Sequence, residues 1–175
     1  MKNSGFFFPN LWRFLGLLAI QGLVLIHVPA TVGHTVFNIL LYPLFIFFLP
    51  MSMPRAGSVA LGFLIGLMVD FIYGSPGVHA SAGAFSGYVR PTVLGIFAPR
   101  GGFSGKEVIP SPEYFGTLRY MQSAGLFFVF HLFWYFSVEA FTFVYIGQIT
   151  LKTIVCWLLS MIFVFFYGFL FNPKT

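Results

Sequence analysis

The chain is 175 residues long, 58% hydrophobic and only 7% charged, with a net charge of +5. A soluble domain carries about 25% charged residues, so the chain lacks the charge to coat a water-facing surface, and its composition is that of a polytopic membrane protein. The basic residues are scattered rather than gathered into the patch that nucleic acid requires, and the lone Cys156 excludes an internal disulfide and any cysteine-based metal site.

Six apolar stretches follow one another, at about 13–28, 35–50, 57–73, 79–98, 121–140 and 150–170. A helical span needs roughly 20 apolar residues, so the second and third are at the short end. Pro29 and Gly33, Pro50 and Pro54, Gly74-Ser75-Pro76-Gly77, Pro99 with Gly101-Gly102, and Gly147 separate them. The expected fold is therefore an all-α integral membrane protein, a six-transmembrane-helix bundle forming a single domain over 1–175. With the N-terminus inside, Lys2, Arg13, Arg55, Arg100, Lys106, Arg119 and Lys174 fall on the cytoplasmic side and only Lys152 outside. That asymmetry follows the positive-inside rule and predicts two cytoplasmic termini. The alternative for the first stretch is a cleaved signal peptide, which Pro29 next to the cut disfavours.

The third and fourth stretches carry the most information. Gly62, Gly66 and Asp70 lie on one helix face, as do Gly83, Gly87 and Arg90 on the next helix. Each face has the Gly-x-x-x-Gly spacing that lets helix backbones approach closely in lipid. A charge inside a span is costly and faces protein or a wet cavity, so Asp70 and Arg90 are expected inside the bundle. At 1.5 Å rise per residue their depths differ by roughly 12 Å, too far for simple pairing. Asp70 is expected to meet His79 or helix-end backbone groups. Arg90 is expected deeper, toward the cytoplasmic half, snorkelling or binding partner groups beside a helix kinked at Pro91.

The same residues bear on chemistry. Asp70, Ser75 and His79 suggest a hydrolytic triad, but Ser75 precedes Pro76-Gly77 as a type II turn would require, and no Gly-x-Ser-x-Gly elbow surrounds it. His27, His34, His79 and His131 lie on separate segments without metal-ligand spacing. No enzyme activity, metal or cofactor is expected. His131 is expected to hydrogen-bond between helices, and Glu139 to lie at the outer interface. The aromatic run 126–145, with Trp134, Tyr135 and Tyr145, reads as an interfacial belt or a docking face. The polar stretch 99–119 is expected to be a cytoplasmic loop, either a partner surface or a solvated connector.

The string from Gly62 to Arg90 resembles the rod shape-determining MreD family: an intramembrane acid (Asp70), a Gly74-Ser75-Pro76-Gly77 turn, His79, the small residues Ala80 to Ala84, then Tyr88 and a base, Arg90. Downstream, Arg90-Pro91, Ala98-Pro99-Arg100, His131 and Glu139-Ala140-Phe141 resemble the Bacteroidetes branch of that family. The resemblance covers about 57–143. It implies a non-enzymatic scaffold subunit of the cell-elongation complex in the bacterial inner membrane, associated with an MreC-like protein and, through it, with the MreB filament and the peptidoglycan synthases. It also implies a fold similar to the S components of energy-coupling vitamin transporters, which raises the rival function of small-molecule binding. The residues it singles out as structural or partner contacts are Asp70, Gly74, Pro76, Gly77, His79, Tyr88, Arg90, Pro91, Arg100, His131 and Glu139.

Overall fold

Apolar runs become long helices here wherever no proline or glycine pair interrupts them. The computed structural model describes residues 4–28, 30–32, 35–98, 109–142 and 144–170. Helix α1 (Ser4–Ala19) continues into a π-helical turn, Ile20–Val24, and a 3-10 turn, Leu25–His27. A π turn takes one more residue than an α turn and re-aims the side chains within it. Here it buries Gln21 in the interior. A short antiparallel ribbon follows, β1 (Ala30–Val32) against β2 (Thr35–Phe37), with Val32 opposite Thr35. Pro29, Gly33 and His34 lie outside the described residues.

The stretch 35–50 is not the expected helical span. After β2 the chain runs irregularly to a five-residue helix, α2 (Pro43–Phe47), and on to Pro50, with residues 39–50 buried throughout. Proline explains the difference. A helix running through Pro43 would lose the bond to residue 39 and clash with its carbonyl, so Pro43 can only start a helix, as its position at the head of α2 shows. Pro50 and Pro54 then leave room for little more than one turn. Irregular backbone is tolerated at membrane depth only where protein buries it, and this segment is packed inside the bundle.

Helix α3 (Arg55–Tyr73) and helix α4 (Val78–Ile96) form the central hairpin. Gly74 ends α3 in the left-handed conformation, at φ 65°, and its N–H caps the Asp70 carbonyl. Ser75-Pro76-Gly77-Val78 is then a type II turn: Gly77 has φ 87° and ψ −10°, and Val78 N–H donates to Ser75 O at 3.2 Å. The hairpin backbones touch. A Cβ on Gly62 would overlap the Gly83 carbonyl, one on Gly66 the His79 carbonyl, and one on Gly87 the Ser58 carbonyl. Helix α4 runs through Pro91 to Ile96 without interruption.

Of the stretch 99–119, residues 99–108, including Arg100, lie outside the described residues. The remainder turns back onto the bundle: Ile109 and Ser111 are buried, and Ser111 caps the short helix α5 (Pro112–Phe115) by accepting from Tyr114 N–H. Helix α6 (Thr117–Ala140) runs antiparallel to α4, since His79 meets Tyr135 while Ser86 meets His131. Helix α7 (Ile146–Leu170) returns antiparallel to α6. Tyr120 Oη donates to Val164 O, Trp157 Nε1 to Gly125 O, and Lys152 Nζ to Glu139 Oε2.

Among the described residues, four helices are long and apolar enough to cross a membrane: Phe8–His27, Arg55–Tyr73, Thr117–Ala140 and Ile146–Leu170. The chain is thus a helical membrane protein. Helix α4 matches α3 in length, but it carries His79, Ser81, Ser86 and Arg90 and is more polar, as its central place between α3 and α6 permits.

Candidate functional site

Asp70 and Arg90 are both buried, and neither pairs with the other: Arg90 is satisfied by backbone carbonyls, and Asp70 by three backbone amides and the Ser75 hydroxyl. Asp70 sits in the last turn of α3, where the tight turn brings the first amides of α4 onto its carboxylate. Oδ1 accepts from Ser75 Oγ at 3.0 Å and His79 N at 2.9 Å, while Oδ2 accepts from Gly77 N at 3.1 Å and Ala80 N at 2.9 Å. A helix leaves its first four N–H groups without intrahelical partners and carries a positive dipole end there. Asp70 answers both needs from the neighbouring helix, so the acid is a cap supplied in trans.

Arg90 lies in the second half of α4, with its guanidinium aimed at the end of the irregular segment. Nε donates to Phe47 O at 3.2 Å, and Nη2 to Leu49 O and, at 3.3 Å, to Pro50 O. Phe47 O and Leu49 O are carbonyls left over where α2 stops and Pro50 prevents its continuation, while Pro50 O also accepts from Met53 N at 3.0 Å. Arginine suits the position because its planar fork offers five donors in a fixed geometry. The side chain is buried and turned inward, and does not snorkel to a membrane surface. Its acceptors come from 47–50 rather than from carbonyls beside Pro91.

Between these two charges lies a polar layer. Tyr42, at the head of α2, places its ring edge-on between two imidazoles, with centroids 5.5 Å from His79 and 5.2 Å from His131. His79 Nδ1 lies 3.3 Å from Tyr42 Oη, and His131 Nδ1 lies 2.7 Å from Ser86 Oγ. His131 thereby bridges α6 to α4. Tyr135 turns inward against His79, at 4.7 Å, instead of joining an interfacial belt. The triad geometry is not formed: the Ser75 hydroxyl donates to the Asp70 carboxylate, while the His79 imidazole engages Tyr42.

The remaining candidates lie elsewhere. Tyr88 is more than half exposed, with the Arg55 guanidinium 4.9 Å from its ring centre. Glu139 pairs with Lys152 at 3.2 Å, joining the ends of α6 and α7. Gly74, Pro76 and Gly77 shape the turn that delivers the α4 amides to Asp70. Among the described residues, no three His, Cys, Asp or Glu side chains converge as a metal site would need.

Two residues that sequence reading passed over hold the irregular segment. Gln21 Oε1 accepts from Leu41 N at 2.7 Å and Tyr42 N at 3.3 Å, while its Nε2 donates to Ile39 O at 3.1 Å and to Tyr73 Oη at 2.7 Å. Ser160 Oγ accepts from Leu40 N at 3.4 Å. The signal for Gln21 was present, a lone amide in an apolar span. What it binds is set by a segment that was itself expected to be a helix with no free amides.

The fold and site thus define a helical membrane protein whose buried polar groups mostly bind its own backbone. No family model, curated protein or solved structure matches the chain.

Proposed function

We propose that the chain is a non-enzymatic scaffold subunit of the MreD type in the bacterial cell-elongation complex. It would cross the inner membrane six times, with both termini cytoplasmic and the stretch 35–50 making the second crossing. The reading rests on the residue pattern from Gly62 to Arg90. The observation that carries it is the fate of the two intramembrane charges: both are spent on capping backbone, which suits a rigid core for assembly rather than a reactive centre. The partners are an MreC-like membrane protein directly, and the wall synthases and MreB filament indirectly. Apolar side chains such as Phe63, Phe71 and Ile162, exposed on α3 and α7, offer lipid and partner helices a dry surface.

The second reading is a vitamin-like small-molecule binder feeding a transport module. It draws on the layer of Tyr42, His79 and His131, where the Nε2 atoms of both imidazoles have no hydrogen-bond partner among the described residues. His27 and Glu139 are exposed and do not line that layer, and His34 lies outside the described residues.

Affinity capture of the tagged chain from its native membranes, with mass spectrometry of what accompanies it, separates the two. Recovery of an MreC-like protein with wall synthases is the expected result. Recovery of an ATPase-linked transport module or a bound vitamin overturns it.

A further inference from the structure

Helices α6 and α7 touch at Gly125 and leave an open groove beside that contact. With no side chain at Gly125, the Trp157 indole lies against the α6 backbone, and its Nε1 donates to Gly125 O at 2.9 Å. A Cβ on Gly125 would already stand 3.4 Å from the ring. That bond uses the indole's single donor, so the ring forms a fixed apolar wall. The groove has a volume of about 490 Å³, and Leu126 and Val129 of α6 and Leu158 and Met161 of α7 line it with Trp157.

One end of the groove is different. Arg119, Gln122, Leu126 and Val129 are spaced i, i+3, i+7, i+10 and share one face of α6. Arg119 is exposed and makes no hydrogen bond or ion pair among the described residues. It stands in the first turn of α6, which holds no acidic residue and already carries the positive end of the helix dipole. A cation there works against the helix, and an anion placed beside it relieves both. Helix α6 is long and apolar enough to cross a membrane, so its first turn lies at the level of lipid headgroups. Val129 is then about 15 Å further along the axis, half of the roughly 30 Å hydrocarbon thickness. The groove thus runs from a headgroup level to mid-membrane, the depth of one leaflet.

We propose that the groove between α6 and α7 holds one acyl chain of an anionic phospholipid whose phosphate lies at Arg119. A partner helix does not fit inside it: packed helices stand about 8–10 Å apart, whereas a helix with its side chains is about 10–12 Å across. A single methylene chain does fit. Lipid tails are as apolar as leucine, so the groove gains no hydrophobic preference over the surrounding bilayer, and the selection comes from the charge at Arg119. This inference rests on the chain being a membrane protein and not on the scaffold reading.

The test uses the full chain carrying Trp12→Phe and Trp134→Phe, which leaves Trp157 as its one tryptophan. The protein is reconstituted in phosphatidylcholine vesicles containing a minor fraction of lipid brominated on its acyl chain, which quenches tryptophan fluorescence at short range. Brominated phosphatidylglycerol is expected to quench Trp157 as though enriched about fivefold over brominated phosphatidylcholine, the preference one basic residue gives an anionic lipid. Arg119→Gln should remove that preference and leave quenching by brominated phosphatidylcholine unchanged. Equal quenching by the two lipids overturns the proposal, as does a preference that survives Arg119→Gln. A version that keeps only Trp12, exposed on α1, reads the general pull of the positively charged chain on anionic lipid, and equal enrichment at Trp12 also overturns the site. Quenching of Trp157 that is weak with both lipids, and weaker still at higher protein-to-lipid ratio, overturns it in favour of a second copy of the chain covering the groove.

Discussion

Asp70 and Arg90 are charges whose work lies in the number of acceptors or donors they bring to one place. Both oxygens of Asp70 are used, two donors to each. Asparagine keeps one acceptor oxygen and turns an amide NH2 toward the other two donors. Asp70→Asn should therefore be nearly as damaging as Asp70→Ala, each costing about 2–3 kcal/mol. Thermal unfolding in detergent checks this, and near-wild-type stability of Asp70→Asn would show that charge and geometry are dispensable there. Arg90→Met keeps the volume but strands the carbonyls of Phe47 and Leu49, leaving Pro50 O with Met53 N–H, and should cost about 3 kcal/mol. Arg90→Lys should recover only part of that, since one ammonium cannot fork across three carbonyls as a guanidinium does. Equal melting temperatures for Arg90→Lys and wild type would contradict the assigned contacts.

At the scale of elements, the α3–α4 hairpin is held by backbone contact. Gly62, Gly66, Gly83 and Gly87 form the seam, and a Cβ there has no room. Gly62→Ala should push the helices apart and cost about 1–3 kcal/mol, in the range of overpacked cores. Gly95, on the same α4 helix, has nothing within 4 Å of an added Cβ. Gly95→Ala should be neutral, or stabilise by up to about 1 kcal/mol through helix propensity alone. Measuring the two variants side by side removes the general effect of Gly→Ala, and similar values for both would rule out the close seam. The spacing of these glycines was legible because period 3.6 puts them on one face. The turn was legible too, because Pro76-Gly77 demands the geometry it adopts.

Across the whole molecule, the decisive feature is a stretch of chain that is inside the bundle but not regularly folded. Within residues 39–50 the internal bonds run only from the amides of Leu44 to Leu49; the amides of Leu40, Leu41 and Tyr42 and the carbonyls of Phe47 and Leu49 borrow partners from α7, the π turn after α1 and α4, through Ser160, Gln21 and Arg90. Gln21→Leu removes the acceptor for Leu41 and Tyr42 and the donor to Ile39 in a single substitution. Hydrogen exchange at Leu41 and Tyr42 should accelerate strongly in this variant, while exchange in the middle of α6 stays slow. Unchanged protection at Leu41 would mean that packing alone holds the segment.

Composition and periodicity by themselves determined the class of protein, the central hairpin and the burial of its two charges. Each of these follows from local rules: too little charge for a water-facing surface, small residues every fourth position, and the expense of a charge in lipid. Tertiary structure alone decided what Asp70 and Arg90 bind, why Gln21 is buried, and that 35–50 is not a helix. Hydropathy reports how apolar a segment is and not its backbone conformation, so an apolar run broken by Pro43 reads like a span until its neighbours are seen to satisfy its amides. The partner of a buried polar group is likewise fixed by whichever backbone groups the packed helices leave unpaired, which no spacing within one segment can reveal.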